Sequence, residues 1–222
     1  MNKTVTEEEI KAIAAQLRKP EGELGTQVAQ VMNVGNQPMN LHTLAVLNPQ
    51  PLDHILEIGM GNGYFVKNIL RLDDSIKYTG CDYSELMVHE SVQNNREFVE
   101  NGRAKFLWAN INQLPFENAE FNKIFTINTF YFWDNIAIVL AELKRVLIPN
   151  GELIISIRPK HNLEKNPINK YGFAVYETDD ILKMLSDNGF NPVEITKIIE
   201  PPQERMGMMM DRESVMIKCI SV

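Results

Sequence analysis

Three alternating glycines after a buried strand are the feature of this sequence best suited to binding a nucleotide-like ligand. The apolar run Ile55–Ile58 predicts the strand, and Gly59, Gly61 and Gly63 follow it directly. Glycine allows bare backbone to approach a ligand closely where a strand turns into a helix. Glu57 adds a carboxylate inside the strand, two residues before the first glycine.

A second carboxylate, Asp82, follows the next predicted strand, residues 76–81. In an open parallel sheet, ligands bind beyond the carboxyl ends of the strands, where an acid can accept hydrogen bonds from both ribose hydroxyls. Asp82 can also serve as the N-cap of a helix that begins near Ser84. We favour the ribose role because the glycine run precedes it.

The spacing of the glycines argues against a nicotinamide dinucleotide as the ligand. That fingerprint requires Gly-x-Gly-x-x-Gly, and Tyr64 stands where its third glycine would be. A dinucleotide site also has no particular need for an acid at Glu57. A plain turn without a ligand is disfavoured as well, since three glycines forfeit rigidity that such a turn would not need to lose.

The third predicted strand ends at another polar side chain, Asn110. Its side-chain carbonyl can accept a hydrogen bond from an adenine amino group, and the N–H of Ile111 can donate to a ring nitrogen. Asn110 can equally be an amide that caps its own loop. The residues leave both interpretations open.

Strands and helices alternate from Asp53 onward, which predicts an α/β fold with a mostly parallel sheet covered on both faces. The predicted strands are residues 54–59, 76–81, 104–109, 122–128, 152–158, 191–199 and 213–221. The predicted helices are residues 62–71, 84–100, 134–147 and 178–188. No helix separates the last two of the seven strands, so we expect an antiparallel strand at one edge of the sheet.

The N-terminal section, residues 1–50, is predicted to be a helical extension of the main domain, residues 51–222. Thr6 and Glu9 form a capping-box pattern that starts a helix ending near Arg18. Two further helices are expected over 24–32 and 39–47, with a polar turn at 33–38 between them. This extension can be a lid over the bound ligand or a plain packing extension.

The bulk composition excludes several classes of protein. The chain has 222 residues and a formal net charge of −7 without a compensating Lys/Arg cluster, which argues against strong nucleic-acid binding. Cys81 and Cys219 have no metal-site spacing, so we expect no metal. No apolar run is long enough to span a bilayer, and the polar, acidic residues 1–9 do not form a signal peptide. A cytoplasmic location is the resulting expectation.

Four motifs in this order resemble those of the class I S-adenosylmethionine-dependent methyltransferases, and most closely the branch related to ubiquinone/menaquinone biosynthesis. The matching segments are the glycine motif at 56–63, the acidic loop at 81–84, the Leu-Pro-Phe stretch at 109–116 and the helix end at 142–153. The resemblance covers about residues 50–222. It implies a Rossmann-like class I methyltransferase fold and methyl transfer from S-adenosylmethionine to a small-molecule acceptor by in-line displacement.

The resemblance also implies which residues bind the donor. They are Glu57, Gly59, Gly61, Gly63, Asp82, Tyr83, Met87, Asn110, Ile111 and Asn128. The aromatic rings of Tyr131 and Trp133 can stabilise the sulfonium by cation–π contacts, whereas Phe130 and Phe132 are expected in the core.

The chain departs from the family pattern at three positions. Asn110 replaces the usual aspartate, Asn150 replaces a glycine, and Tyr131 lies in a segment that often carries histidine in the family. No catalytic base is therefore evident, and the candidates are Tyr131 and His161.

The acceptor side is predicted less sharply. The fifth predicted strand ends in a basic segment that contains Arg158, Lys160 and His161. These residues can bind an acidic acceptor or form a solvated basic loop. Four methionines of the last inter-strand loop can form an apolar substrate wall or fill a core or an interface: Met206, Met208, Met209 and Met210.

Two other functions stay open from the sequence. One is a non-catalytic S-adenosylmethionine binder, and the other is a protein or RNA methyltransferase, although the Asn/Asp-Pro-Pro-Tyr run of nitrogen-methylating branches is missing at residues 128–131. The sequence indicates neither the methylated atom nor the oligomeric state.

Overall fold

One seven-stranded sheet organises the computed structural model, which describes residues 6–205 and 208–222. The strand order is β3-β2-β1-β4-β5-β7-β6. The strands are β1 His54–Ile58, β2 Lys77–Asp82, β3 Ala104–Trp108, β4 Phe121–Ile127, β5 Leu147–Ile157, β6 Phe190–Arg205 and β7 Met208–Ser221. Strands β1 to β5 are parallel, and β7 runs antiparallel between β5 and β6. The predicted α/β fold with an antiparallel edge is confirmed.

The helices of the described residues pack on this sheet or, for the first two, on other helices. They are α1 Glu7–Arg18, α2 Gly22–Gly35, α3 Gln37–Leu47, α4 Val66–Leu70, α5 Glu85–Asn94, α6 Arg96–Glu100, α7 Ile136–Val146, α8 Lys160–Leu163 and α9 Thr178–Asp187. Short 3-10 helices span Phe130–Phe132 and Pro167–Lys170. The capping box of α1 forms as predicted, with Thr6 and Glu9 bonded in both directions.

The side chains of alternating strand residues pack into two separate hydrophobic cores. Leu56 and Leu153 join the cluster under α7 and α9, whereas Ile55 and Ile154 join the cluster under α3 and α4. Successive side chains of a strand point to opposite faces, so a strand buried on both faces must be apolar along its length. This requirement explains the apolar runs that identified β1 and β5.

Two predicted helices are shorter than their sequence pattern suggested. The helix expected over 62–71 begins only at Val66, because Gly63 has a left-handed φ of 67°. The helix expected over 84–100 is divided into α5 and α6 at Asn95, whose side chain donates to the carbonyls of Gly63 and Ser91.

Three predicted turns are different in the structure. The polar segment 33–38 is almost wholly helical, with Asn36 alone separating α2 from α3. The expected loop through Met210 is a longer β6–β7 hairpin, and a bulge between Glu200 and Gln203 takes up the two prolines. Residues 148–151, which separate the predicted helix 134–147 from the predicted strand 152–158, lie in β5, where Asn150 adopts a left-handed φ of 61°.

Helices α2 and α3 are joined to the sheet domain by hydrogen bonds. Thr26 of α2 donates to Glu90 of α5 at 2.6 Å, and Thr43 of α3 shares a buried 2.8 Å bond with Ser156 of β5. Arg212 of β7 donates to the carbonyl of Gly35. The N-terminal extension therefore lies against the carboxyl edge of the sheet.

Candidate functional site

A cavity of about 470 Å³ opens at the carboxyl ends of β1 to β5. The sequence order of the strands reverses between β1 and β4, and an open α/β sheet binds its ligands at such a switch point. Helices α1 to α3 and the segment after β5 supply the remaining walls.

The glycine loop, residues 59–63, forms one wall with three left-handed glycines, and only two of them line the cavity. A Cβ on Gly59 would lie 2.4 Å from the Cγ2 atom of Thr129, whereas a Cβ on Gly61 would meet no atom within 4 Å. Gly63 packs instead against Ser91 and Asn95. Gly61 therefore leaves room for a ligand, and the other two glycines allow close packing within the protein.

Helix α5 holds the glycine loop through three successive carbonyls. Ser91 donates to the carbonyl of Gly61, Asn94 to that of Asn62, and Asn95 to that of Gly63, each at 2.9 Å. These three residues are not among the predicted site residues. Their spacing, which puts polar side chains three and four residues apart on one helical face, was the available signal.

Asp82 fixes the glycine loop from the other side. Its carboxylate accepts hydrogen bonds from the N–H of Gly61 at 3.1 Å and of Ser84 at 2.9 Å. Burial raises the pKa of Asp82 to about 6, against the opposing effect of these backbone donors. The N-cap of α5 is Ser84 and not Asp82, because the Ser84 hydroxyl accepts the N–H of Met87.

Glu57 is a buried carboxylate at the cavity wall. One of its oxygens accepts a 2.5 Å hydrogen bond from the Tyr78 hydroxyl, and the described residues supply no partner to the other. Burial raises the pKa of Glu57 to about 7, with the Tyr78 hydrogen bond opposing and the charge of Asp82 adding to the shift.

The structure brings most of the other predicted donor-site residues to the same cavity. Tyr83, Asn110, Ile111 and Asn128 line it. The Asn110 side chain also accepts the N–H of Asn112 at 3.0 Å, so its loop-capping interpretation holds as well. Met87 is fully buried and does not reach the cavity, because α5 turns it toward the protein interior.

The far part of the cavity, beyond β4 and β5, has an aromatic wall. Tyr131, Phe132, Trp133 and Phe173 line it, with the Phe132 and Phe173 rings 4.6 Å apart. Phe130 lies in the core as expected, whereas Phe132 is half-buried, packing against the core and also lining the cavity.

Neither predicted catalytic candidate presents a base to the cavity. The Tyr131 hydroxyl accepts the N–H of Arg158, and burial raises the pKa of Tyr131 well above its ordinary value, so this phenol stays protonated. His161 lies outside the cavity, where it contacts Glu213 at 3.2 Å. Lys160 is also outside and pairs with Glu177 at 3.1 Å.

Arg158 does not belong to a solvated loop. It lines the cavity and pairs with the buried carboxylate of Glu200 at 2.5 Å. Of the four predicted methionines, Met210 lines the cavity and Met209 is exposed in β7. Met206 lies outside the described residues, and the side chain of Met208 is not described.

The described ranges, 6–205 and 208–222, contain no group of three or more His, Cys, Asp or Glu side chains that could hold a metal ion. They also contain no helix long and apolar enough to cross a membrane.

Comparison with known proteins shows which enzymes this chain is similar to. A family model described as a methyltransferase domain matches residues 56–155, which include the glycine loop, Asp82, Asn110 and Asn128. This domain and the methyltransferase relatives support an S-adenosylmethionine-dependent methyltransferase, with S-adenosylmethionine as its methyl donor.

Individual relatives agree with this identification. The methyltransferase is 25% identical over 193 residues to an O-methyltransferase of Pyrenophora dematioidea, which covers 81% of this chain and 70% of that protein. It is 25% identical over 130 residues to the uncharacterized methyltransferase YdaC of Bacillus subtilis (strain 168), covering 59% of this chain and 70% of YdaC.

A solved structure shows the same fold over nearly the whole chain. The geranyl diphosphate C-methyltransferase of Streptomyces coelicolor A3(2), solved with Mg²⁺, geranyl diphosphate and S-adenosyl-L-homocysteine, matches with a TM-score of 0.70 at 14% identity. The match covers 94% of this chain and 87% of that one, so the likeness extends into the N-terminal helices.

We predict that Gly59→Ala destabilises the methyltransferase more than Gly61→Ala does. Both substitutions place a side chain at a left-handed φ, which costs about 1–2 kcal/mol, but only the first drives a methyl group into Thr129. This overpacking adds about 1–3 kcal/mol to the loss of stability in Gly59→Ala. Urea unfolding measures the difference, and Thr129→Ser should recover part of it in the Gly59→Ala background. Equal stability of the two single variants would contradict the close packing.

We predict that Glu57→Gln flattens the pH dependence of the stability of the ligand-free protein. Because the native pKa of about 7 lies above the ordinary 4.5, the native state holds a proton that the unfolded chain releases, and stability falls as pH rises between these values. The full loss is on the order of 3 kcal/mol above pH 7. Unfolding free energies from pH 4.5 to 8 should converge at low pH and favour the variant at high pH. Parallel curves would exclude an elevated pKa.

Proposed function

We propose that the enzyme methylates a small aromatic or apolar molecule, and that donor and acceptor occupy opposite ends of one cavity. The observation that carries the proposal is the division of the cavity into two chemically distinct halves. The polar half contains Glu57, the glycine loop, Asp82 and Asn110, and the aromatic half contains Tyr131, Phe132, Phe173 and Arg158.

The polar half suits the donor in shape and in chemistry. Gly61 leaves open space for a ligand beside its backbone, and the free oxygen of Glu57 can accept a hydrogen bond from an ammonium group. Asp82 and Asn110 lie at the ends of β2 and β3, where they can hold the ribose and the adenine. We therefore assign the donor to the ends of β3, β2 and β1, with its methionine part at the glycine loop.

Further donor contacts follow from the same assignment. Tyr83 and Ile111 can border the adenosine, and Asn128 lies at the end of β4, between the two halves. Gly63 acts by allowing the loop to pack on α5, and Met87 by supporting that helix from within. These two residues are supports and not donor contacts in this proposal.

The aromatic half suits a flat or apolar acceptor. Its rings come from two separate segments, since Tyr131 and Phe132 follow β4 and Phe173 follows the 3-10 helix Pro167–Lys170. Aromatic side chains bind large apolar surfaces while losing little rotamer freedom. The net charge of −7 supports a small molecule over a nucleic acid as the acceptor.

When bound, S-adenosylmethionine supplies an electrophilic methyl group on a sulfonium, so the protein needs little covalent chemistry of its own. Tyr131 stays protonated, and Asp134 at the cavity rim is paired with Arg18 at 3.0 Å. We infer that the acceptor brings its own nucleophile and that the enzyme aligns the reactants and excludes water. Such alignment lowers the activation barrier by about 7–11 kcal/mol in favourable cases.

The Leu-Pro-Phe stretch at 109–116 supports an assignment to the branch related to ubiquinone/menaquinone biosynthesis.

We further propose that residues 1–50 act as a lid. Leu17, Met32, Asn33 and Asn40 from α1 to α3 line the cavity opposite the sheet. The exposed Arg18–Asp134 pair joins α1 to the segment after β4, and exposed pairs contribute little to stability. Little therefore holds α1 to the segment after β4, whereas the buried Thr43–Ser156 bond anchors α3, so the lid would open from its α1 end.

We predict that S-adenosylmethionine and S-adenosylhomocysteine, but not NAD, raise the melting temperature of the enzyme. A ligand at a hundredfold excess over its Kd stabilises the folded protein by about 2.7 kcal/mol.

Asp82→Ala should weaken the binding of S-adenosylhomocysteine by at least about tenfold, because one or more hydrogen bonds to a charged group are lost. Glu85→Ala, which removes an exposed acid nearby, serves as the control. A shift with NAD alone, or unchanged affinity in Asp82→Ala, would contradict the donor assignment.

We predict that S-adenosylhomocysteine slows amide hydrogen exchange over residues 20–42. Closing the lid on a ligand lowers the local opening of α2 and α3, and exchange reports that opening. Helix α9 provides the internal control because it does not line the cavity. If amide exchange over residues 20–42 is the same with and without the ligand, the lid proposal is contradicted.

A further inference from the structure

Helices α2 and α3 form one nearly continuous helical rod that carries an exposed apolar strip. The N–H of Asn36 donates to the carbonyl of Met32, and the N–H of Asn40 donates to that of Asn36, so the i→i−4 hydrogen bonds continue across the junction. Four large apolar side chains of the rod are between 42% and 72% exposed, and we call them the α2–α3 strip: Leu24, Val31, Val34 and Leu41. Their positions i, i+7, i+10 and i+17 place them on one side of a helix.

The opposite side of the rod faces the interior of the enzyme. It contributes residues to the cavity wall, namely Ala29, Met32, Asn33, Asn36 and Asn40. The α2–α3 strip is therefore not the surface by which these helices pack on the rest of the chain. An exposed, continuous apolar surface of this kind is typical of a contact with another molecule.

The strip lies in the longest uncharged stretch of the sequence. Residues 24–52 contain no Asp, Glu, Lys or Arg, although 23% of the whole chain is charged. The buried cores of protein interfaces are depleted in charged residues. Two copies that each carry a formal net charge of −7 repel one another, and this repulsion is weakest where both present an uncharged face. The composition therefore favours this face for contact between two copies of the chain.

The order of the four apolar side chains is the same from either end of the strip. It reads Leu, Val, Val, Leu in both directions, with the same intervals between them. In a two-fold interface, a residue i of one copy contacts j of the other, and j contacts i. Antiparallel packing of two rods would place Leu24 opposite the partner's Leu41 and Val31 opposite the partner's Val34. The strip is thus complementary to a second copy of itself.

The charge next to the strip also favours the antiparallel orientation. Glu23 is exposed beside Leu24, at one end of the strip. A parallel pair of rods would place the Glu23 carboxylates of both copies side by side. An antiparallel pair would separate them by at least the length of the strip, about 26 Å at 1.5 Å per residue. Exposed charges this far apart are largely screened, because the Debye length is about 8 Å at physiological ionic strength.

We propose that the enzyme forms an antiparallel, two-fold dimer through the α2–α3 strip. The strip is short, so the interface belongs to the small class that gives reversible association, and the dimer dissociates on dilution. Because the other side of the same rod lines the cavity, the partner would hold one cavity wall in place. Helix α1 lies outside this interface.

Sedimentation velocity over a range of micromolar concentrations tests whether the dimer forms and where. The unaltered enzyme should change from monomer to dimer as its concentration rises. Val31→Glu and Val34→Glu should each remain monomeric, because each would bury carboxylates against apolar side chains of the partner. Ile138→Glu is the matched control, since it adds the same charge at a half-exposed, β-branched residue of helix α7 and should leave the dimer intact.

Cross-linking with a short bismaleimide tests the orientation with variants that add no charge. Leu24→Cys and Leu41→Cys should each stay uncross-linked alone, whereas a mixture of the two should give a covalent dimer. The native thiols of Cys81 and Cys219 are buried and do not compete. This measurement also stands if a glutamate variant fails to fold. Cross-linking of Leu24→Cys to itself would identify a parallel dimer and contradict the antiparallel pairing.

Two other results would overturn the proposal. One is an unaltered enzyme that stays monomeric over the whole range of concentration; if that monomer binds vesicles of neutral phosphatidylcholine, the strip is assigned to a lipid surface. The other is a dimer that persists in both Val31→Glu and Val34→Glu, which would place the interface elsewhere. None of these measurements uses the methyl donor or an acceptor, so their failure is distinct from failure of the proposed function.

Discussion

The structure of the site depends on a glycine loop that is hydrogen-bonded on both sides. Asp82 accepts the N–H of Gly61, and Ser91 donates to the carbonyl of the same residue. A loop with several left-handed residues would otherwise lose much conformational freedom on ordering. Because β2 and α5 supply these bonds, the second strand-helix unit fixes the backbone of the first.

This arrangement also explains why two acids lie so close together. Glu57 and Asp82 raise each other's energy as anions, and burial raises the pKa of both. The donor proposed for this cavity carries an ammonium and a sulfonium group, so its binding would offset the charge of these two acids.

The part of the site that follows from one continuous segment was predictable from the sequence. The strand, the glycine loop and Asp82 are read from local apolar runs and from glycines with a clear physical purpose. The aromatic wall was predicted less well: Phe132 was assigned to the core alone, since residue type does not reveal that a ring packed against the core also lines the cavity. The pairing of Arg158 with Glu200 joins residues 42 positions apart, and no local pattern predicts it.

The N-terminal section shows the same limit. Its three helices were predicted, yet the segment 33–38 was taken for a turn because it is polar. Several of those residues are polar because they face the cavity, as Asn33 and Asn36 do. A binding surface on a helix thus resembles a loop in composition, and only the packing of α3 against the sheet and of α2 against other helices distinguishes the two.

The central claim is that the donor lies over β3, β2 and β1 and leaves the ends of β4 and β5 to the acceptor. A crystal structure of the enzyme with S-adenosylhomocysteine tests it most directly. We expect the ribose hydroxyls on the Asp82 carboxylate, the amino group facing Glu57, and the sulfur directed toward Asn128 and the aromatic wall. A ribose bound away from Asp82, or a homocysteine chain extending to Arg158, would contradict the account.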